Sequence, residues 1–191
     1  MAMQTSRLEA FSDGVLAIII TIMVLELSAP TETNFRALLD RAPVFISYVS
    51  SFIYVGIYWN NHHHLFQITR AVNGKILWAN LHLLFWLSLI PFTTAWIGNN
   101  YDAMLPVIAY GVVLLLSAIA YSILQAIIIK SHDNEFSLRK LVGSDRKGKI
   151  SIGFYILGIA LSLVNTWLGI ACYVFVAIMW LIPDRRIEES I

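Results

Sequence analysis

Arg7-Leu8-Glu9-Ala10-Phe11-Ser12-Asp13-Gly14 runs without interruption into Val15-Leu16-Ala17-Ile18-Ile19-Ile20-Thr21-Ile22-Met23-Val24-Leu25. The second half reads as a membrane helix, and its charged head sets it apart from an ordinary one. An ionisable side chain costs roughly 2.5–3.5 kcal/mol at the centre of a spanning helix, so Arg7 and Asp13 are expected to pair with protein groups or to lie near a water-filled path. A functional or assembly role follows for this segment.

The rest of the chain agrees with a membrane setting. Of its 191 residues 58% are hydrophobic and 13% charged, and its mean hydropathy is +0.71, whereas soluble domains carry about a quarter charged residues. No small-residue cleavage site follows the first apolar run, which is therefore read as a retained helix, with the mature protein starting near Met1. Cys172 is the only cysteine, which excludes an intrachain disulfide and a Cys-rich metal site. It is expected to pack as a small apolar residue. The net charge of +1, with basic residues spread over short loops, offers no nucleic-acid face.

Because a span needs about 20 apolar residues, the sequence predicts six, over 5–27, 43–66, 76–97, 104–129, 150–165 and 167–182. The last two divide an apolar block of 33 residues at Asn165-Thr166, a polar pair suited to a turn. With the N-terminus inside, eleven basic residues fall on the inner side: Arg7, Arg70, Lys75, Lys130, Arg139, Lys140, Arg146, Lys147, Lys149, Arg185 and Arg186. Only Arg36 and Arg41 fall outside, an asymmetry that predicts cytoplasmic termini and an even number of spans in the cell membrane. The polar loop 131–149 is expected to fix topology, with lipid binding as the alternative. No repeat or linker divides the chain, so 1–191 reads as one membrane domain.

At 100° per residue, Arg7, Phe11, Gly14, Ile18, Ile22, Leu25 and Ala29 form one narrow stripe of the first helix, with Thr21 at its edge and Ser12 and Asp13 well off it. Such a stripe packs against lipid or helices in most proteins, but rings of large apolar side chains also close channels by dewetting.

The pattern Arg7, Phe11, Ser12, Asp13 resembles the Arg-x-x-x-Phe-Ser-Asp signature of the transmembrane protein 175 family of potassium channels. The likeness continues through Ala17 to Leu25, to Trp59 and His62 in the second span, and to Asn80 and Pro91-Phe92-Thr93 in the third. It is to the bacterial branch with one six-span set. The resemblance implies an all-α membrane protein, a homotetramer in which each first helix lines a central pathway for potassium and other monovalent cations. It implies a constriction of Ile18, Ile22 and Leu25 and a hydroxyl at Thr21 linked to cation preference. It further implies that Arg7, Phe11, Ser12, Asp13, Trp59, His62 and Asn80 hold the pore helix in place. No Thr-Val-Gly-Tyr-Gly carbonyl filter is present in the sequence, so a modest potassium preference is expected.

Within the polar set, His62 and Asn80 are the expected partners of Arg7, Ser12 and Asp13 through charge-assisted hydrogen bonds. Asn61-His62-His63-His64 also invites a metal or pH-sensing reading. Neighbouring helical residues point about 100° apart, however, so one subunit cannot aim three consecutive imidazoles at one ion. No metal or other cofactor is expected, and the histidines are read as hydrogen-bond partners or interfacial residues. Glu26, near the outer end of the first helix, is expected either at an acidic outer mouth or paired with Arg36 or Arg41. Tyr48, Tyr54, Tyr58, Trp59, Trp78, Trp86 and Trp96 are read as interface anchors or packing residues. No catalytic constellation is present. The readings left beside the channel are a secondary transporter or proton-coupled carrier, and a membrane metalloprotein.

Overall fold

The computed structural model describes residues 5–67, 69, 71–131 and 146–181. Among them are eight helices: α1 (Thr5–Leu25), α2 (Phe35–Leu39), α3 (Ala42–Gln67), α4 (Gly74–Leu87), α5 (Ile90–Asn99), α6 (Met104–Ser131), α7 (Arg146–Ser162) and α8 (Thr166–Leu181). α1, α3, α4 with α5, and α6 are each long and apolar enough to cross a membrane. Together they make this a multi-pass helical membrane protein. α7 and α8 have 17 and 16 residues, about 25 Å at 1.5 Å per residue. Arg70, Arg139, Lys140, Arg185 and Arg186 lie outside the described residues.

Helix ends follow local chemistry. Asn73 caps α4 by accepting from the amides of Lys75 and Ile76 at 2.9 and 3.0 Å. Asn34 caps α2, a short helix between α1 and α3 that no sequence signal announced. The block 150–182 divides as expected, but the turn covers Leu163 to Asn165 and α7 starts earlier, at Arg146. Asn165 Oδ1 accepts from the Trp167 amide at 2.9 Å and so starts α8.

The third span corrects the sequence reading: it is not one helix but two. Pro91 lacks an amide hydrogen and its ring crowds the carbonyl four residues back, so the helix stops at Leu87 and restarts at Ile90. Hydroxyls occupy the carbonyls around the turn. Ser88 donates to Phe85 O at 2.7 Å, and Thr94 donates to Ile90 O at 2.6 Å. The first helix is also shorter than expected, ending at Leu25, so Ala29 lies beyond it and Glu26 sits in the turn that follows.

Contacts identify the two ends of the bundle. At one, Thr5 donates to Thr69 O at 3.2 Å, Asn73 to Ser131 at 3.1 Å, and Trp180 to Ser151 at 2.8 Å. The described basic residues Arg7, Lys75, Lys130, Arg146, Lys147 and Lys149 belong to helix ends on that side. At the other end, Gly98 lies against Val44, and the rings of Tyr101 and Trp167 are 5.5 Å apart.

Two apolar clusters share α6. Val113, Ala120, Leu124 and Ile128 pack with α1, α3, α4 and α5, while Val107, Tyr110, Leu114 and Ala118 pack with α3, α7 and α8. Free Cys172 is buried in the second cluster, next to Tyr173. Tyr173 needs a neighbour without a side chain, since a Cβ on Gly111 would fall on its hydroxyl and 2.9 Å from Ile159 Cγ1. Overpacking of this kind costs about 1–3 kcal/mol. Gly111→Ala is therefore expected to lower the thermal midpoint of the purified protein. Gly153→Ala, where a Cβ meets nothing within 4 Å, does not lower it.

Candidate functional site: a polar tie behind a free helix face

α1 is buried along Leu8, Ser12, Leu16, Ile19 and Met23, the spacing of one helical stripe. Its other face is open. Phe11 is 52% exposed, Ile18 60%, Ile22 43% and Leu25 77%, and Arg7, Gly14, Ala17 and Thr21 share that face. Thr21 turns its hydroxyl back to Ala17 O at 2.8 Å, leaving the oxygen lone pairs toward the outside.

The rotation of α1 that presents this face is set by buried hydrogen bonds. Ser12 donates to Leu8 O at 2.9 Å and accepts from Asn80 Nδ2 at 2.9 Å, while Asn80 Oδ1 faces His62 Nε2 at 2.8 Å. The chain of donors requires the proton of His62 on Nε2. All three residues are buried, His62 stacked on Phe66 with ring centroids 4.4 Å apart. One serine on α1 is thereby tied to α4 and α3. Unsatisfied groups at this depth cost about 1–3 kcal/mol each, so the tie holds one register strongly.

Asp13 takes a different partner. Trp59 Nε1 donates to its Oδ1 at 3.1 Å, and both residues are exposed. Trp59 in turn stacks on His63, which pairs with Gln67 Nε2 at 2.8 Å. Arg7 and Phe11 stand on the open face, outside the Ser12, Asn80 and His62 chain. The three consecutive histidines diverge, His62 into the core, His63 outward and His64 between. Among the described residues no three His, Cys, Asp or Glu side chains are placed to hold one metal ion.

A second buried chain lies behind the C-terminal half of α1 and was not legible beforehand. Thr94 Oγ1, whose proton goes to Ile90 O, lies 2.7 Å from Ser51 Oγ and accepts from it, the Ser51 hydroxyl lies 2.9 Å from that of Tyr110, and Thr94 Oγ1 is 4.0 Å from Met23 Sδ. Hydroxyls scattered singly through apolar runs carry no spacing signal, so only their meeting across α3, α5 and α6 reveals the chain.

A helix held by buried polar ties, with one apolar face left uncovered by its own subunit, defines a class of membrane protein in which that helix meets lipid, another copy or an aqueous path. The sequence profile of the family described as endosomal/lysosomal potassium channel TMEM175 matches residues 7–91, which contain α1 from Arg7 onward, the Trp59 and His62 turns and Asn80. A potassium channel of Chryseobacterium sp. (strain P1-3) is 57% identical over 189 residues, covering 99% of this chain and 98% of the relative. One of Chamaesiphon minutus is 28% identical over 184 residues, covering 90% and 91%. The crystal structure of a lysosomal potassium-selective channel TMEM175 homolog from Chamaesiphon minutus superposes with a TM-score of 0.80 at 27% identity, over 93% of this chain and 96% of that one. The chain belongs to the TMEM175 family, a family of ion channels and not of enzymes.

Proposed function

We propose that this protein is a potassium-preferring cation channel, a homotetramer of one six-span domain per chain, in which four copies of α1 surround the pathway. Ile18, Ile22 and Leu25 narrow it, and Thr21 contributes to cation preference. Both termini are cytoplasmic, since the basic end of the bundle is the inner one under the positive-inside rule. α7 and α8 supply the fifth and sixth spans, with their shortness met by local thinning or burial.

The observation that carries this reading is the open face of α1. Exposed Ile18, Ile22 and Leu25 recur at one per turn, and the same face holds Arg7, Gly14 and Thr21, which lipid contact alone does not explain. A central path accounts for both, because large apolar rings gate by dewetting while polar groups at the ends stay hydrated. Relatives named potassium channels over nearly the full length support the choice of ion. The break in the third span does not favour a carrier, since its carbonyls are occupied by the chain's own hydroxyls and not turned to a substrate.

The test is the reversal potential of reconstituted protein under opposing potassium and sodium gradients. A potential directed toward potassium supports the channel; absence of current from correctly assembled protein rejects it. Within this reading Ser12, Asp13, Trp59, His62 and Asn80 hold α1 within its own subunit, Arg7 and Phe11 hold it from the open face against neighbouring copies, and none of the seven ligates ions. Asp13→Asn keeps an Oδ1 acceptor for Trp59, so selectivity is expected to stay at the wild-type value; its loss in a stable tetramer would make Asp13 an ion ligand. Glu26, exposed just past α1, forms the outer acidic ring. Glu26→Gln is expected to lower conductance at low ionic strength and to leave it unaltered at about 1 M salt, where the Debye length is near 3 Å. Equal conductance at low salt would remove the ring.

A further inference from the structure

α1 rests against both α3 and the α4–α5 span, and each of these supports carries an uncovered stripe of its own. On α3 it runs through Phe52, Gly56 and Trp59, and on α4 through Trp78, His82 and Phe85. Both have the spacing i, i+4, i+7 of one helix face. A Cβ added to Gly56 meets nothing within 4 Å, so the α3 stripe has a notch between its two rings.

His82 does not suit a contact with lipid. It lies eight residues, about 12 Å, beyond the start of α4 at Gly74, inside the spanning stretch. Trp86 Nε1 donates to its Nε2 at 2.9 Å, which places the imidazole proton on Nδ1. The residue is exposed, and that donor has no partner among the described residues. A donor left facing hydrocarbon is costly. Asp13 is its converse: one carboxylate oxygen accepts from Trp59, and the other has no partner among the described residues.

The two groups are level in the bundle. The Ser12 to Asn80 hydrogen bond pins α1 to α4, which start at the same end. Asp13 lies one residue beyond Ser12 and His82 two beyond Asn80, about 1.5 and 3 Å along their helices. By the same measure, Gly56 and Phe85 stand about 9 and 7.5 Å beyond the His62 and Asn80 pair. Rotation about an axis along the membrane normal keeps every residue at its depth, so partners across an interface of a ring are level. Two different faces on one subunit, each complementary to the other, close such a ring.

We propose that α4 of each copy docks on α1 and α3 of the next, with His82 Nδ1 donating to the free oxygen of Asp13 and the Phe85 ring seated over Gly56. This interface rests on the tetrameric reading above and deepens it, since the Asp13 and Trp59 pair is completed by an imidazole from the neighbouring copy.

The test is cysteine cross-linking in membranes; the sole native thiol, Cys172, is buried. Gly56→Cys with Phe85→Cys in one chain is expected to give covalent dimers, trimers and tetramers on oxidation with copper phenanthroline. Co-expressed chains carrying one substitution each give covalent dimers only, and neither single variant cross-links alone. The native mass of the unoxidised protein is measured beside it. Four subunits without the ladder, or dimers from a single variant, overturn this packing and leave the channel reading standing. Any other mass rejects the tetramer and this interface with it. The hydrogen bond is read separately, from the tetramer surviving a detergent titration. His82→Leu and Asp13→Ala are each expected to lower the association constant about tenfold, and the double variant by little more than either alone. Losses that add across the two sites, or a His82→Leu tetramer as robust as wild type, overturn the pair.

Discussion

Ile18→Asn is expected to raise the cation current through reconstituted protein by about tenfold, the change produced by about 1.4 kcal/mol off the barrier. The reason lies in what an apolar ring does to water. Ile18 is 60% exposed in the single chain and flanked one turn away by Gly14 and Ile22, and in the proposed tetramer four copies facing a narrow path would repel a continuous water column. An amide of similar length supplies donors and acceptors to that column in the same place. The protein itself has little reason to object, since Ile18 makes no part of either apolar cluster. Thermal stability is thus expected to stay near wild type while current rises. An unaltered current would move the narrowest point to Ile22 or Leu25, and a collapse of the assembly would assign Ile18 to a packing contact.

Asn80→Leu acts on the opposite face and is expected to destabilise by about 1–3 kcal/mol, the cost of leaving one buried polar group without a partner. The group is His62 Nε2, 2.8 Å from Asn80 Oδ1; Ser12 keeps its own bond to Leu8 O and loses only an incoming donor. This asymmetry gives a further check. Adding His62→Leu removes the stranded donor, so the double variant should be less destabilised than the sum of the two single ones, as contacting pairs in a cycle are. Because the tie fixes the rotation of α1, both variants should also lower current per assembled channel. A midpoint and a current both equal to wild type in Asn80→Leu would show that packing alone orients the helix.

The exposed stripe of α1 and the buried tie are two sides of one arrangement, and the sequence carried them unequally. Hydropathy located every long helix, since apolar runs of about 20 residues have few other outcomes. The Arg7 to Asp13 cluster marked the first helix as special, and a 100° projection separated Ile18, Ile22 and Leu25 from Ser12. Asn80 and His62 were nameable as partners only through family likeness; nothing in their local spacing says that residues 68 positions apart, Ser12 and Asn80, share a hydrogen bond. Asp13 makes the same point. Adjacent to Ser12 in sequence, it turns to Trp59, because neighbours on a helix face different elements.

Pro91 shows how a signal legible in principle was overridden by a stronger one. Its missing amide predicts a break, yet the apolar run on either side reads as one span, and only the observed turn at Ser88 and Leu89, sealed by the Ser88 and Thr94 hydroxyls, shows both statements to hold. The sequence by itself determined a membrane protein, its long helices, the end at which basic residues collect and the face α1 offers, because these follow from transfer energies, charge counts and periodicity along one segment. The tertiary structure alone decided that Ser12, Asn80 and His62 meet and that Tyr173 fills the space Gly111 leaves. Each of these depends on how separate helices rotate and approach, which local periodicity does not encode.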